Sequence, residues 1–305
     1  MNEKLKGGIL VFAGAASFGF LSTIVKFAYR NGYTLGEITG SQAFFGMVIL
    51  WLLYFVFSRK KNRLIGKANP EKFRTTPWWK VSFSGIFTGL VGIFYYQCVK
   101  LLPASVAIIL LMQYLWITML IELVVFRKKP GSKQLWLLVF VLLGTVLAAG
   151  ILNQKVEINL EGILYGLLAA FCYAIFLMTS GKVGNELPVL KKSALMITGS
   201  CIANWIIFPP LYLFNGVMLG GLYGWGILLA VLGTVIPPLF FSKGIPKTGI
   251  PVGSILSAAE LPVATLSSAF ILHETVGLTR WIGVALILAA IVCSNFPVKP
   301  KPEKS

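Results

Sequence analysis

Hydrophobic residues are gathered into ten long runs, which shorter polar segments separate. A helix needs about 20 apolar residues to cross the hydrocarbon core of a bilayer. Each run reaches or approaches that length, so each predicts one transmembrane helix. The predicted helices cover roughly residues 7–28, 35–57, 80–100, 103–125, 134–152, 160–181, 194–215, 222–241, 250–272 and 280–296.

The composition indicates a chain that is embedded in a membrane. Of the 305 residues, 57% are hydrophobic and only 12% are charged, whereas a soluble domain carries about a quarter of its residues as charged ones. So few charges cannot cover a water-exposed surface of this size. Lipid must therefore be the solvent for much of the surface, and the predicted fold class is an all-α integral membrane protein with ten transmembrane helices.

The net charge of +17 is explained by the loops rather than by a nucleic-acid partner. If the N-terminus is cytoplasmic, 22 of the 27 Lys and Arg residues fall on the cytoplasmic side. Cytoplasmic loops of membrane proteins are enriched in these residues. The pattern predicts a multi-pass protein of the cell membrane with both termini in the cytoplasm, and it favours the lipid bilayer over nucleic acid as a partner.

The two halves of the chain resemble each other. Residues 38–41, Ile-Thr-Gly-Ser, recur as residues 197–200, and Gly85 in the third run has a counterpart in Gly226 in the eighth. An odd number of helices in each half forces the second half into the opposite orientation in the bilayer. The neutral loops of one half then correspond to the basic loops of the other, as the sequence shows.

This similarity divides the chain into two repeats and a tail. The first five-helix repeat covers residues 1–152, the second and inverted repeat covers 153–298, and 299–305 form a cytoplasmic tail. Inverted repeats are typical of secondary transporters, whose substrate site lies near the bilayer midplane between the repeats. The repeats therefore predict alternating access around a central cavity.

The most specific stretch of sequence lies in the second half. Residues 260–263 read Glu-Leu-Pro-Val, the run that they begin ends at His273 and Glu274, and a last helix with a Gly- and Ala-rich segment follows. In these features the chain resembles the ten-helix EamA-type branch of the drug/metabolite transporter superfamily, over nearly its whole length. Members export amino acids and other small metabolites, or carry nucleotide-sugars and phosphorylated compounds. The resemblance therefore implies transport without fixing the substrate.

The first half departs from that family pattern. Leu115 and Trp116 stand where Pro-Val is expected, and Phe126 and Arg127 stand where the final glutamate would be. The resemblance therefore implies no role for this part of the first half.

Glu260 is the acidic residue that the pattern places deepest in the bilayer. It lies ten residues into the ninth predicted helix, which at 1.5 Å per residue puts it about 15 Å deep, near the midplane. A charge at that depth costs at least ~2.5–3.5 kcal/mol, so the side chain should face a cavity or a partner. Two readings stay open: Glu260 binds a cationic group or a coupling proton, or it is a buried carboxyl hydrogen-bonded to neighbouring Ser or Thr.

Polar and aromatic residues in the third and fourth predicted helices complete the candidate substrate site. Gln113 occupies the position in the fourth helix that Glu260 occupies in the ninth. Rings can cover an organic body while amides fix its orientation; the alternative is hydrogen bonding and packing between helices. The predicted substrate-binding residues are Glu260, Gln113, Tyr114, Trp116, Tyr95, Tyr96 and Gln97.

Lys26 and Glu37 are a candidate gate at the outer side. Lys26 lies about 27 Å along the first predicted helix, and Glu37 begins the second. An ion pair between them would close the outer opening. The alternatives are that Lys26 binds a carboxylate, or that its ammonium extends to the lipid headgroups.

Several kinds of chemistry are missing from the sequence. There is no P-loop, no Asp and only one histidine, which argues against a P-loop ATPase, an aspartyl-phosphate pump and a His-x-x-x-His zinc protease. The four cysteines lie inside apolar runs and suggest neither disulfides nor metal ligands. We therefore predict no enzyme activity, no cofactor and no metal.

Together these features predict a secondary transporter that exports a small metabolite such as an amino acid or an organic amine. The predicted partners are this small-molecule substrate, the bilayer and protons, and the sequence leaves open whether the protein is a monomer or a homodimer. An uncoupled facilitator or exchanger, an intramembrane enzyme and a channel are the alternatives.

Overall fold

The computed structural model describes residues 3–64, 76–150, 159–271 and 276–295. Within these ranges the chain is almost entirely helical and contains no strand. The predicted tail 299–305 and the pair His273 and Glu274 lie outside the described residues, as do residues 65–75 of the basic loop between the second and third helices.

Five helices form the first half of the chain. They are α1 (Glu3–Gly19 and Leu21–Arg30), α2 (Leu35–Leu64), α3 (Trp78–Leu101), α4 (Ala104–Met112 and Tyr114–Phe126) and α5 (Ser132–Ala149). The backbone is interrupted at Phe20 in α1 and at Gln113 in α4. Both helices continue beyond the interruption, so each still forms a single membrane crossing.

Five further helices form the second half. They are α6 (Leu160–Lys182), α7 (Val189–Ile207), α8 (Met218–Thr248), α9 (Ile250–Ser257 and Glu260–Ile271) and α10 (Leu278–Asn295). α9 is interrupted at Ala258 and Ala259, and α8 contains wider, π-helical turns over Ala230–Val235. The ten helices correspond one to one to the ten hydrophobic runs.

The helices have the length and composition of membrane spans. By these two criteria eight of them can cross a bilayer, and α10 is a shorter apolar helix over Leu278–Ser294. α7, the remaining helix, has 19 residues and packs against α2 and α3. The chain is thus an all-α, multi-pass membrane protein.

The seventh helix begins and ends earlier than predicted. The hydrophobic run 194–215 placed Pro209 and Pro210 inside this helix, but α7 ends at Ile207 and Phe208 has an extended backbone. Proline lacks a backbone N–H and disfavours the helical conformation of the residue before it. The two prolines therefore end α7 instead of kinking it, which corrects the sequence-based interpretation.

The earlier start of α7 depends on Lys192. This side chain is 1% exposed, and its ammonium donates to the carbonyl oxygen of Ser180 at 2.7 Å and to Asn185 Oδ1 at 2.8 Å. Ser180 lies in the last turn of α6, where carbonyl groups have no partner within the helix. A lysine there stabilises the helix end. The first turn of α7 therefore contains polar residues that a prediction from hydrophobicity alone leaves outside the helix.

The helix contacts follow an approximate two-fold relation between the halves. α3 packs on α6 and α7, and in the same way α8 packs on α1 and α2. α4 contacts α6, and correspondingly α9 contacts α1. α5 and α10, which occupy corresponding positions in the two halves, pack on each other, and so do α2 and α7. Exchanging the halves thus reproduces the contacts. With five crossings in each half, this relation places the halves in opposite orientations.

Irregular backbone is concentrated where α1, α8 and α9 meet. The breaks in α4 and α9 fall at corresponding places in the two halves, but the distortions of α1 and α8 have no counterparts, because α6 and α3 are continuous. Phe20, Gln113 and Ala258 keep right-handed helical backbone angles, so the interruptions are irregular turns within continuing helices. Irregular turns, π-helical ones in particular, are frequent at functional sites, so the distorted region marks the place to look for a cavity.

Segments that the sequence places in the cytoplasm contact one another. The backbone N–H of Thr76, before α3, donates to the carboxylate of Glu186, between α6 and α7. Hydrogen bonding with Thr76 lowers the pKa of the Glu186 carboxyl. At the start of α1, Glu3 forms an ion pair with Lys247 near the end of α8. These helix ends therefore share one face of the molecule.

We expect reporter fusions to place this face in the cytoplasm, because it carries most of the basic residues. Fusions within 58–79 and at the C-terminus should report a cytoplasmic location, whereas fusions within 208–217 should report the outer side. An outer signal from 58–79 would contradict the topology and the inverted arrangement of the halves with it.

Candidate functional site

A cavity of about 60 Å³ lies in the centre of the helical bundle. Helices of both halves line it, including the distorted α1, α8 and α9. We call it the central cavity, and its lining residues are Phe18, Leu21, Gln42, Thr88, Val91, Gly92, Tyr95, Tyr96, Leu111, Tyr173, Phe176, Gly233, Thr234 and Glu260.

Glu260 is the charged group of the central cavity. Among the described residues, no other charged side chain lines it. Glu260 begins the second segment of α9, directly after the break, and is 6% exposed. Among the described residues, no hydrogen bond or ion pair engages its carboxyl group. A buried carboxyl group that borders a cavity without a protein partner is available to a proton or to a ligand.

The close approach of α1 to α9 depends on a glycine beside Glu260. A Cβ atom at Gly19 would lie 2.6 Å from the carbonyl oxygen of Glu260 and 2.7 Å from the Cβ of Val263. Gly19 is also the last residue before the break in α1. The interrupted parts of α1 and α9 therefore touch at Glu260. A movement of either helix changes the surroundings of the Glu260 carboxyl group.

Aromatic rings form much of the wall of the central cavity. Phe18 meets Tyr173 edge to face with 5.9 Å between ring centroids, and Tyr173 stacks on Phe176 at 5.8 Å. Tyr95 and Tyr96 line the cavity from α3. Because ring faces attract cations, the rings and the Glu260 carboxylate favour the same kind of ligand group.

Neutral polar side chains add hydrogen-bonding groups. The Tyr96 hydroxyl donates to Gln42 Oε1 at 3.0 Å, and the Thr234 hydroxyl donates to the carbonyl oxygen of Ala230 at 2.9 Å. The hydroxyl of Thr88 is buried and has no hydrogen-bond partner in the described part of the chain. Buried polar groups are nearly always paired in folded proteins, so a ligand or a water molecule in the cavity would complete this group.

The central cavity offers little space. A cavity needs at least roughly 10–15 Å³ to hold one water molecule, whose share of the liquid volume is about 30 Å³. A volume of about 60 Å³ therefore holds only a few waters, and an amino acid is bulkier than this. Its binding therefore requires helices to move apart, and the interrupted helices α1, α8 and α9 supply places where the backbone can bend.

Gln97 and Glu37 lie outside the central cavity. They line a vestibule of about 700 Å³ at the face opposite Glu3 and Thr76. A helix turns by about 100° at each residue, so Gln97 points to the vestibule although Tyr96 beside it lines the central cavity. Of the predicted site residues in α3, the structure thus joins only the two tyrosines to Glu260.

Lys26 and Glu37 are not joined as a gate in this structure. Lys26 lines a neighbouring cavity of about 560 Å³. The carboxylate of Glu37 accepts hydrogen bonds from the backbone N–H of Thr34 at 2.7 Å and from its hydroxyl at 2.9 Å. This arrangement caps the start of α2, and it gives Glu37 a local partner without Lys26.

The structure does not bring Gln113 and Trp116 to the central cavity. Gln113 Nε2 donates to the carbonyl oxygen of Ile109 at 2.9 Å, and Trp116 Nε1 donates to Gln113 Oε1 at 2.8 Å. Trp116 is 40% exposed, so the pair lies on the outer surface of the bundle with its polar groups satisfied. Tyr114 is fully buried behind the cavity wall, where its ring centroid lies 4.5 Å from that of Tyr173.

Several lining residues are absent from the predicted site. Gln42 had a usable signal, because it is the one amide within the hydrophobic run 35–57. No sequence signal marked Thr88, Phe18 or Phe176, since Thr and Phe are common in membrane helices. The sequence does not reveal which face of a helix such residues occupy.

We expect Gly92→Leu to lower transport strongly without unfolding the protein. Gly92 lines the central cavity, and a Cβ atom there would meet nothing within 4 Å. A leucine side chain would therefore occupy much of the cavity. The matched control is Gly224→Leu, on an exposed position of α8 with equally open surroundings. Normal flux through folded Gly92→Leu would show that the substrate does not pass this cavity.

Two halves with corresponding helix contacts, around a central cavity in which Glu260 is the one charged lining residue of the described chain, define a membrane transporter of the two-repeat class. Residues 5–150 and residues 160–296 each match the EamA-like transporter family. The two matches cover most of the chain, and the chain belongs to this family.

Individual relatives are more distant. The chain is 23% identical over 297 residues to the uncharacterized transporter YcbK of Bacillus subtilis, covering 93% of this chain and 90% of that protein. It is 26% identical over 230 residues to the threonine/homoserine exporter RhtA of Salmonella typhimurium, covering 72% of each. A crystal structure with 15% sequence identity superposes with a TM-score of 0.71 over 94% of this chain and 96% of that one, which shows a shared fold.

Proposed function

We propose that the protein is a secondary transporter that exports a small metabolite with a cationic or zwitterionic head, such as an amino acid or an organic amine. The observation that carries this proposal is Glu260, a buried carboxyl group that faces an aromatic cavity without a partner among the described residues. In this proposal the protein acts in the cell membrane with both termini cytoplasmic, as a monomer or a homodimer, and its repeats 1–152 and 153–298 move around the central cavity.

The composition of the central cavity supports a cationic head group. A cation gains from the Glu260 carboxylate and from ring faces such as those of Tyr95 and Tyr173. Phosphorylated substrates are bound by clustered Arg and Lys, and among the described residues none lines this cavity. The amide of Gln42 and the hydroxyls of Thr88 and Tyr173 can donate to the carboxylate of an amino acid.

A single carboxyl group also suggests how transport can be coupled. Glu260 can hold a proton or pair with a cationic group, but it cannot do both at once. If the two alternate on Glu260 while the cavity opens to each side in turn, protons and substrate cross in opposite directions. An inward proton gradient then drives the export of an amine or an amino acid.

The similarity to RhtA supports amino acids as the first substrates to test. That protein is named as a threonine/homoserine exporter. At 26% identity the pocket residues need not be shared, so the proposal for this chain stays with the chemical class. The aromatic wall favours substrates that combine a charged head with an apolar body.

A competition panel in proteoliposomes tests the proposed substrate class. Radiolabelled threonine serves as tracer, and the competitors are amino acids, polyamines, quaternary amines and sugar phosphates. We expect amines and amino acids to compete and sugar phosphates to have no effect. Preference for a phosphorylated or dianionic compound would contradict the assignment.

The same vesicles distinguish the coupled transporter from its alternatives. Flux is measured with and without a pH gradient, and in the presence of a protonophore. We expect the gradient to accelerate flux and the protonophore to abolish that acceleration. Saturable flux that ignores the gradient would identify an uncoupled facilitator or exchanger, and non-saturable flux would indicate a channel.

A further inference from the structure

We propose that a second cavity, at the cytoplasmic end of the bundle, binds a zwitterion, with the ligand's ammonium at Glu122 and its anionic group at Lys128 and Lys182. This cavity has a volume of about 290 Å³ and lies between the ends of α4, α6 and α8 and the start of α9. We call it the lysine cavity. It is separate from the central cavity, since the two share no lining residue.

Glu122 is the deepest charged group of the lysine cavity. It is 6% exposed, although it lies only one turn from the end of α4. Among the described residues it has no ion pair within 4 Å, and its carboxylate accepts no hydrogen bond. The contact of Arg127 with Glu122 is through the backbone, where the N–H of Arg127 donates to the carbonyl oxygen of Glu122. Lys128 and Lys182 act on this buried carboxylate only from beyond ion-pair distance. A buried carboxylate without a direct partner is costly, so a bound ammonium would stabilise it.

Three lysines line the same cavity as this carboxylate. Arg127 has a left-handed backbone with φ 52°, and the N–H of Lys128 donates to the carbonyl oxygen of Glu122 at 3.2 Å. The chain therefore turns back at the end of α4, and both Lys128 and Lys129 line the cavity. Lys182, at the end of α6, lines it from another side and lies over the ring of Phe126.

The start of α9 adds a further attraction for an anion. Ile250 and Pro251 form the first turn of α9 and line the lysine cavity. Pro251 has no backbone N–H, but the N–H of Ile250 has no partner within the helix and carries partial positive charge. Together with the lysines, this N–H favours an anionic group at the rim of the cavity, above the buried carboxylate.

Only a ligand with both charges satisfies this arrangement. A simple anion would meet Glu122, and a simple cation would meet the three lysines. A primary ammonium separated by one or two carbons from an anionic group matches both ends. Two kinds of molecule carry this unit: α-amino acids and the headgroup of phosphatidylethanolamine.

The two sources have different consequences. An amino acid in the lysine cavity would be substrate collected at the cytoplasmic side before it reaches Glu260, and this source rests on the proposed function. A phosphatidylethanolamine headgroup would be a structural or regulatory lipid, and its binding does not depend on what the protein transports.

Lipid retention in native mass spectrometry tests the site with the full-length protein. The protein is purified from equal mixtures of phosphatidylethanolamine, phosphatidylcholine and phosphatidylglycerol. The soluble probes O-phosphoethanolamine, glycerol phosphate and threonine are then titrated by calorimetry. The variants are Glu122→Gln and Lys182→Gln. The matched controls are Glu161→Gln and Lys243→Gln, which remove exposed charges outside both cavities.

We expect wild-type protein to bind O-phosphoethanolamine about tenfold or more tightly than glycerol phosphate, as expected for a charge-assisted hydrogen bond. Glu122→Gln should remove this preference, and Lys182→Gln should weaken both ligands, while the controls bind as the wild type. Competition by threonine identifies the amino acid as an occupant. Selective retention of phosphatidylethanolamine without such competition identifies the lipid.

The proposal is overturned if neither phosphoethanolamine nor threonine distinguishes wild type from Glu122→Gln. The melting temperature of each variant shows whether it is folded, and Lys182→Gln provides an independent test if Glu122→Gln is not. Binding is measured without transport, so failure of the flux assays leaves this result unaffected. Loss of binding in Lys182→Gln with normal threonine export would likewise leave the proposed function intact.

Discussion

Glu260→Gln is expected to abolish the response of transport to a pH gradient and to weaken binding of a cationic tracer by about 30-fold or more. Removing one partner of a buried charge pair costs at least ~2 kcal/mol, and that energy corresponds to such a factor. Glutamine keeps the shape of glutamate but can neither carry a proton through the cycle nor neutralise an ammonium. Binding is measured by calorimetry on purified protein, and flux is measured in proteoliposomes at several pH gradients.

The fold should survive this substitution. Glu260 has no partner among the described residues whose loss would leave another charge unpaired. A charge at this depth itself costs ~2.5–3.5 kcal/mol on insertion scales. We therefore expect the melting temperature of Glu260→Gln to equal or exceed that of the wild type, which separates a loss of transport from a loss of structure.

Glu161→Gln is the matched control, because it also removes one carboxylate but from an exposed position in the first turn of α6. It should transport with a normal rate and normal pH response. If folded Glu260→Gln shows the same normal behaviour, Glu260 has a structural role only, and the coupling scheme is wrong.

The positions of the helices could be predicted from the sequence because the bilayer restricts them. A span needs a minimum apolar length, so hydrophobicity alone locates nearly every helix. α7 is the exception, since its first turn contains the buried Lys192 and its end is set by Pro209 and Pro210. The limits of α7 are decided by a hydrogen bond to α6 and by the conformation of proline. A hydrophobicity profile averaged over a window of residues reports neither of these.

The position of Glu260 was also accessible from the sequence. A lone acidic residue at midplane depth needs a cavity or a partner, and the structure places it in the central cavity. The direction of its neighbours was not accessible. Gln113 corresponds to Glu260 by repeat position, yet α4 is interrupted at one residue and α9 at two. Each residue turns a helix by about 100°, so corresponding residues need not face the same space.

The contents of the central cavity depend on contacts between distant parts of the chain. Gln42 on α2 is held by the hydroxyl of Tyr96 on α3, and Phe18 on α1 meets Tyr173 on α6. No local sequence pattern reports such pairs. The predicted site therefore contained Tyr95 and Tyr96 of the cavity wall, together with Gln97, Gln113 and Trp116, which face elsewhere.

Gly199→Ala is expected to prevent α3 and α7 from packing and to give a protein that is largely unfolded or aggregated. A Cβ atom at Gly199 would collide with the carbonyl oxygen of Ser82, and one at Gly85 would collide with that of Met196. Each helix therefore presents a glycine to the backbone of the other. Backbone cannot move aside as a flexible side chain can, so the two helices must separate.

The cost of this separation should exceed the ~1–3 kcal/mol that is usual for overpacking a core. α3 and α7 belong to different halves, and close packing at small residues is a main source of stability between membrane helices. We expect Gly199→Ala to show a small fraction of monodisperse protein in fluorescence-detected size exclusion, and a clearly lowered melting temperature in what remains.

The control for this prediction is Gly224→Ala. Gly224 also lies within a helix, but it is exposed on α8 and a Cβ atom there would meet nothing within 4 Å. Alanine is favoured over glycine in helices by roughly 0.8–1.0 kcal/mol, so this variant should be as stable as the wild type or more so. Equal stability of Gly199→Ala and Gly224→Ala would mean that α3 and α7 do not cross at Gly85 and Gly199. The contact of α3 with α7 corresponds to that of α8 with α2. Without it, one of the main contacts that support the two-fold relation between the halves would be missing.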